Sequence, residues 1–182
     1  MIAVLEKAAV RERAIPISRA AYHLMFENGL IGEKTELIEG VVVEKMPKSA
    51  LHVFIVNEIY RLLTKLLPES HRVRQEQPLA IGGSEPEPDI AVVRADKAGD
   101  LREHPVTAEL VVEISNSTLA LDRDKAEIYA RAAIPRYLVI NLLDRQVEEY
   151  TNPDGTAYRE RKISPFGRLM LWAEIDFDLS SF

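Results

Sequence analysis

The sequence predicts one α/β domain in which helices cover a mixed β-sheet. The 182 residues are enough for a single hydrophobic core. A composition of 47% apolar and 29% charged residues is typical of a globular protein. The central predicted elements follow the order helix, three strands, helix, strand, and several of these strands are too apolar to leave one face in water. This combination is typical of an α/β sandwich around a mixed sheet.

The N-terminal region is predicted to carry a short extension before the domain begins. Residues 1–14 are interpreted as a loosely attached helical extension, and residues 15–182 as a single domain. Pro16 separates the two, because the residue before a proline disfavours the helical conformation. Ser18 can then cap a short helix, and Gly29 marks the end of that helix.

A hairpin and a long helix are predicted next. Residues 35–46 favour two short strands joined by a turn at Glu39 and Gly40. Ser49 can cap the following helix, and Pro68 ends it. Apolar residues at helical spacing predict the buried face of this helix. They are Leu51, Ile55, Ile59, Leu62, Leu63 and Leu66.

Most of the remaining chain favours strands. Segments 89–94 and 108–115 are rich in apolar residues, which is typical of strands in the centre of a sheet. A second helix is predicted over residues 121–132, before Pro135. The other predicted strands are 71–81, 137–143, 146–151, 158–163 and 169–179.

The composition excludes several classes of functional site. The chain has no cysteine, which excludes disulfides, thiolate zinc sites, iron–sulfur clusters and a cysteine nucleophile. Its four histidines lack the spacing of a histidine-rich zinc site, so a metal site would use mainly carboxylate oxygen, as Mg²⁺ and Mn²⁺ prefer. No glycine-rich phosphate loop and no GxSxG motif is present, so neither a nucleotide cofactor nor an esterase nucleophile is expected.

The sequence also bears on location and charge. No apolar run approaches the roughly 20 residues that a membrane-spanning helix needs, and the first residues lack the order of a signal peptide. We therefore expect a cytoplasmic protein without membrane contact. The net charge of −6 indicates that nucleic acid would be bound through a local basic patch or through a cation.

Two carboxylates stand out because they lie at the ends of apolar strands. Asp89 opens segment 89–94, and Glu113 lies within segment 108–115. A buried carboxylate is costly unless it is paired, hydrogen-bonded or bound to metal. If the two strands pair antiparallel through the 95–107 connection, with Arg94 opposite Ala108, Asp89 falls directly opposite Glu113. Opposed Cβ atoms are about 4.5–5.5 Å apart, so the two charges would repel unless a divalent cation lay between them.

Each of these acids has an alternative interpretation as a structural residue. Asp89 is compatible with an ordinary turn residue before a strand, and Glu113 with an edge-strand charge or a structural ion pair. Lys125 is a third candidate, since a helix that follows the Glu113 strand begins near that strand's end. Its alternative is a solvated lysine that pairs with Asp122 or Asp124.

These residues, in this order, resemble the PD-(D/E)XK nuclease superfamily. Their flanks are more specifically similar to the Uma-type family of restriction-endonuclease-like proteins, over roughly residues 18–150. The third motif position is Ser115 rather than lysine, and in this family the lysine lies on the following helix, where this chain has Lys125. The matching segments are Thr35-Glu36-Leu37-Ile38-Glu39-Gly40, His52, Pro88-Asp89-Ile90, Val111-Val112-Glu113-Ile114-Ser115, and Asp122 to Lys125 with Tyr129.

The resemblance implies a restriction-endonuclease-like core with an N-terminal hairpin and C-terminal strands. It also implies an endonuclease that hydrolyses DNA with Mg²⁺, or with Mn²⁺ as a substitute. Asp89, Glu113 and the backbone carbonyl of Ile114 would hold the ion, and Lys125 would orient or help deprotonate the attacking water. Glu36 is a further candidate acid, with a strand-end surface charge as its alternative.

Other functions remain open at this point. A catalytically silent member of the fold would only bind nucleic acid or a protein, and a metal-dependent hydrolase could act on a small phosphoester instead. A nuclease with one site per chain needs two sites to cut both strands, so we expect a homodimer. Residues 1–14 and the apolar segment 169–172 are its candidate contact surfaces.

Overall fold

The computed structural model describes residues 7–95 and 102–182. The helices of this part of the chain are α1 (Ala8–Arg11), α2 (Arg19–Glu27), α3 (Ala50–Leu66) and α4 (Leu119–Arg131). Its strands are β1 (Thr35–Ile38), β2 (Val41–Glu44), β3 (His71–Gln75), β4 (Ile90–Arg94), β5 (Leu110–Ser115), β6 (Arg136–Asn141), β7 (Gln146–Pro153), β8 (Tyr158–Pro165), β9 (Arg168–Trp172) and β10 (Ile175–Asp178).

A six-stranded sheet in the order β3-β4-β5-β6-β7-β8 forms the centre of the fold. The pair β5–β6 is parallel and the other neighbours are antiparallel, so the sheet is mixed, as predicted. Parallel neighbours need a crossover connection, and α4 provides it. The hairpins β1–β2 and β9–β10 form two smaller sheets.

Helices cover both faces of the central sheet, which confirms the predicted sandwich. Ile90 and Val92 of β4 pack on the face that carries α3 and the β9–β10 hairpin. Ala91 and Val93 alternate with them and pack on the face that carries α4. Because both faces of β4 and β5 are buried, these strands have the continuous apolar sequences from which they were predicted.

The helix ends follow the predicted capping pattern. Ser18 Oγ accepts a hydrogen bond from the Ala21 N–H, and Ser49 Oγ accepts one from the His52 N–H. Gly29 follows α2 with φ of 68°, a left-handed value that ends the helix. None of the helices in the described ranges is both long and apolar enough to cross a bilayer.

Two predicted strands are wrong in their extent. Segment 71–81 was predicted as one strand, but β3 ends at Gln75 because Glu76 takes a left-handed φ of 52°. Segment 169–179 was also predicted as one strand, but it folds into the β9–β10 hairpin around Ala173, whose φ is 38°. In both places a single left-handed residue turns the chain out of the extended conformation.

The C-terminal candidate for a dimer contact, segment 169–172, is partly exposed, since Met170 is 45% exposed and Trp172 is half-buried. Leu169 and Leu171 are buried in the core of their own chain, so they are not available to a second subunit. Of the N-terminal extension, residues 1–6 lie outside the described residues. The remaining part contains α1, which has no buried residue.

The turn of the β1–β2 hairpin depends on close contact with the segment before α2. Gly40 has a φ of 80°, and a Cβ atom added there would lie 2.3 Å from the Cβ atom of Pro16. Gly155 has a similar φ of 90°, but open space surrounds its Cα atom.

We expect Gly155→Ala to cost about 1–2 kcal/mol of unfolding free energy through backbone strain alone. Gly40→Ala should lower the unfolding free energy clearly more, because steric overlap with Pro16 adds to the backbone strain. Urea denaturation of the two variants tests this, and equal losses would contradict it.

Candidate active site

The structure brings Asp89 and Glu113 together in the predicted register. Ile90 pairs with Val112 and Ala91 with Val111, and continuing this ladder by one residue places Asp89 opposite Glu113. The Asp89 N–H donates to Glu113 Oε2 over 3.1 Å. The Ile114 N–H donates to Asp89 Oδ2 over 2.8 Å. Each of the two buried carboxylates therefore accepts a hydrogen bond from a backbone N–H of the opposing strand segment.

Pro88 explains why the ladder changes at this point. The next ladder position places Pro88 opposite Ile114, and proline has no N–H to donate across the strands. The Ile114 N–H bonds to the Asp89 side chain instead of to a strand neighbour. A proline before the aspartate thus ends the strand pairing and places a carboxylate at its end.

Asp89 is further held by two cationic or polar groups from outside the sheet. Its Oδ1 atom accepts hydrogen bonds from Lys48 Nζ over 2.9 Å and from His52 Nε2 over 3.0 Å. Burial alone would raise the pKa of Asp89, but His52, Lys48 and the Ile114 N–H together hold it below its ordinary value. His52 lies in the first turn of α3, and its hydrogen bond gives this buried residue a specific polar role.

Glu113 has the opposite pKa shift. Its Oε1 atom accepts hydrogen bonds from Lys125 Nζ and from the Tyr129 hydroxyl, each over 3.1 Å. Burial raises the pKa of Glu113 to about 8; Lys125 opposes this rise, while the nearby Asp122 and Asp89 carboxylates add to it. Glu113 lies two residues after Val111 on β5 and so shares its face, which packs against α4, where Lys125 and Tyr129 lie one helical turn apart.

Lys125 is enclosed by three carboxylates. Its Nζ atom lies 3.0 Å from Glu36 Oε1, 3.1 Å from Glu113 Oε1 and 3.9 Å from Asp122 Oδ1. Burial lowers the pKa of Lys125, but Glu113, Glu36 and Asp122 outweigh it and raise the pKa above the ordinary value. The alternative of a solvated lysine is therefore wrong, because this side chain is only 5% exposed.

Glu36 joins the same cluster from the β1–β2 hairpin. It is buried, and its Oε2 atom accepts a hydrogen bond from the Glu87 N–H over 3.2 Å. The alternative of a strand-end surface charge is thus also wrong. The structure places all four predicted catalytic residues, Asp89, Glu113, Lys125 and Glu36, in one cluster. Their catalytic roles stay a prediction.

The sequence did not single out Lys48. This lysine lies in the segment that connects β2 to the Ser49 cap of α3, 41 residues before Asp89. No local pattern distinguishes it from the neighbouring Lys45, which pairs with Glu87 instead. Only the tertiary arrangement shows which of the two lysines contacts the acids.

A cavity of about 80 Å³ opens over this cluster, with room for several water molecules. Residues 44–49 form one of its walls, and residues 116–118 with the first turns of α4 form another. The acids and Lys125 lie along its lining, so water and a phosphate oxygen can approach them.

The charges of the cluster favour an additional cation. Four buried acidic side chains, those of Glu36, Asp89, Glu113 and Asp122, meet only the two ammonium groups of Lys48 and Lys125, and the raised pKa of Glu113 shows that this acid lacks sufficient positive charge in the metal-free site. Across residues 7–95 and 102–182, no group of three or more Asp, Glu or His side chains is arranged to hold a metal ion. The predicted ligand set needs only two carboxylates and the Ile114 carbonyl, which are hard oxygen donors of the type that Mg²⁺ and Mn²⁺ prefer. These residues therefore fit such an ion in charge and in ligand chemistry.

The raised pKa of Glu113 predicts how metal-free stability depends on pH. The pKa is near 4.5 in the unfolded chain and about 8 in the folded one. The folded state therefore holds a proton that the unfolded state releases, and this stabilisation is full below about pH 4.5 and is lost as pH rises through about 8. In EDTA we expect the unfolding free energy to fall by up to a few kcal/mol over this window. Glu113→Gln should flatten the slope, and an unchanged slope in urea titrations would contradict the assignment.

Comparisons with known proteins agree with this architecture. A crystal structure from Anabaena variabilis ATCC 29413, described as "a putative nuclease belonging to DUF820", superposes with a TM-score of 0.65. The alignment has 16% sequence identity and covers 85% of this chain and 89% of that chain, so it shows a shared fold. No curated protein sequence matches the chain. The family model of Uma2, described as "Putative restriction endonuclease", matches residues 26–175. Because that match spans most of the chain, the protein belongs to the Uma2 family.

Proposed function

We propose that the protein is a metal-dependent endonuclease that hydrolyses DNA phosphodiester bonds, with Mg²⁺ as its ion and Mn²⁺ as a substitute. The observation that carries this proposal is the pair Asp89 and Glu113, buried side by side beneath an open cavity with Lys125 against it. Membership of the Uma2 family supports a nuclease.

The carboxylates of Asp89 and Glu113 and the backbone carbonyl of Ile114 would hold the ion. When bound, it would polarise a phosphate oxygen and lower the pKa of a water molecule. Pro88 supports the role given to Ile114, because a proline at the opposing ladder position has no N–H to donate to that carbonyl.

Lys125 would stabilise the negative charge that develops on the phosphate in the transition state. Glu36 and Glu113 hold its ammonium group through contacts of 3.0 and 3.1 Å, so it is positioned before the substrate arrives. The raised pKa keeps Lys125 protonated at neutral pH, which favours a donor over a base that deprotonates water. Tyr129 donates to Glu113 and fixes the orientation of that carboxylate.

Incubation of the purified protein with supercoiled plasmid and with linear DNA tests the activity. We expect nicking or cutting with Mg²⁺ or Mn²⁺ and none with EDTA. DNA binding without cleavage would favour a catalytically silent member of the fold instead. Release of phosphate from a small phosphoester, with DNA left intact, would favour a small-molecule hydrolase.

We also propose that the active form is a homodimer, because one cluster per chain cannot cut both strands of a duplex at once. The contact surface must lie outside Leu169 and Leu171, which the core already buries. Light scattering at tens of micromolar protein should give the mass of two chains, and the mass of one chain would contradict the proposal. The cytoplasmic location stays a prediction from the sequence.

A further inference from the structure

The segment between β2 and α3 presents two lysines to the cavity, and their partners differ. Lys48 Nζ lies 2.9 Å from Asp89 Oδ1 and 2.9 Å from Glu76 Oε1. Lys45 pairs with Glu87, away from the acid pair. Both lysines line the same cavity, so they give the same charge at similar depth but make different contacts.

The ammonium group of Lys48 is hydrogen-bonded to Asp89 Oδ1, an oxygen that would otherwise be open to a metal ion. Asp89 Oδ1 already accepts hydrogen bonds from Lys48 and His52, and Oδ2 accepts one from the Ile114 N–H. Both acceptor positions of Oδ1 are thus filled, so a divalent ion that binds Asp89 through Oδ1 must displace a protein donor. Lys48 is the donor best able to leave, since its side chain is 31% exposed, whereas that of His52 is 9% exposed.

Lys48 also has a second partner, Glu76, with which it can stay paired after it leaves Asp89. The Glu76 side chain is 44% exposed, so an ammonium paired with it stays close to solvent. The Glu76 backbone is fixed beside Asp89, because its N–H donates to the Asp89 carbonyl over 3.2 Å. Lys125 differs in this respect, since it is almost fully buried and has no exposed partner among its three carboxylates.

We propose that Lys48 is an internal counter-ion of the metal-free site, which releases Asp89 to the incoming divalent cation and stays paired with Glu76. This inference rests on the proposed function, because it assumes that Asp89 is a metal ligand. In this role Lys48 sets the metal affinity of the site by competition. It acts through Asp89 and is a positioning residue.

Isothermal titration with Mn²⁺, without DNA, tests this competition directly. Lys48→Met removes the competing ammonium, so the dissociation constant for Mn²⁺ should fall about tenfold. Lys45→Met removes an equal charge from the same cavity wall without touching Asp89, and it should change the constant less than about twofold. Equal tightening in both variants, or none in Lys48→Met, would overturn the inference.

A second pair of variants is expected to change the Mn²⁺ affinity in the opposite direction. It also tests the inference if Lys48→Met fails to fold. Glu76→Gln removes the remaining partner, so Lys48 is held more firmly on Asp89 and Mn²⁺ should bind more weakly. Glu87→Gln, which affects only the partner of Lys45, is the matched control. If Glu76→Gln binds Mn²⁺ as the parent does, the counter-ion role is wrong while the metal site stands. If the parent itself binds no Mn²⁺, the metal site and this inference fall together.

Discussion

Replacement of Lys125 by methionine is expected to destabilise the metal-free protein by about 3–5 kcal/mol. The ammonium group lies among the carboxylates of Glu36, Glu113 and Asp122, and all three are buried. Methionine conserves the length of the side chain but leaves these acids without their cation. The acids must then take up protons or remain as unpaired buried charges, and either response costs free energy.

Urea denaturation in EDTA measures this loss, and Lys65→Met is the matched control. Lys65 is an exposed lysine in the last turn of α3, so the same substitution there should change stability by no more than about 0.5 kcal/mol. Adding Glu36→Gln to Lys125→Met should recover part of the loss, because one of the three acids is then neutral. A Lys125→Met variant as stable as the Lys65→Met variant would show that the ammonium does not balance these acids.

The second large effect is expected for Asp89→Asn, which should reduce metal-dependent DNA cleavage by about 10³-fold or more. An amide keeps the shape of the side chain but lacks the charge that a divalent ion needs. Both carboxylate oxygens also accept hydrogen bonds in the folded protein. The amide nitrogen cannot accept, so the metal-free variant should lose roughly 1–3 kcal/mol of stability as well.

Asp124→Asn provides the control for this activity measurement. Asp124 is exposed on α4, next to Lys125 in the chain, and it makes no contact with the acid pair within the described residues. Its substitution should leave the cleavage rate near that of the parent. If Asp89→Asn cleaves as fast as Asp124→Asn under saturating Mg²⁺, Asp89 is not a ligand of the reactive ion.

The acid pair could be predicted from sequence because its geometry follows from local rules. Pairing the two apolar strands from their facing ends, Arg94 with Ala108, gives the register that the structure has, and this register places Asp89 opposite Glu113. The position of Lys125 follows in the same way, since a helix that leaves the end of β5 begins beside that strand. The hairpin turn at Glu39 and Gly40 was also predicted, and both residues are left-handed as such a turn requires.

The features that were missed depend on contacts between distant parts of the chain. Glu76 and Ala173 are not residues that favour left-handed backbone, so nothing local marks them as the ends of strands. Lys48 differs from Lys45 only in what tertiary packing places beside it. The same applies to Glu148, a fully buried carboxylate that pairs with Arg123 and Arg161 across two other elements.

The crossover helix α4 has a consequence for how this protein folds. Strands β5 and β6 cannot pair in parallel until the chain between them has passed over the sheet, and that passage is α4 itself. The same helix carries Lys125 to Glu113. One helix therefore both connects the two parallel strands and supplies the cation beside Glu113. A nascent chain that has not yet formed α4 has β5 with its buried acid but lacks the ammonium group that contacts this acid.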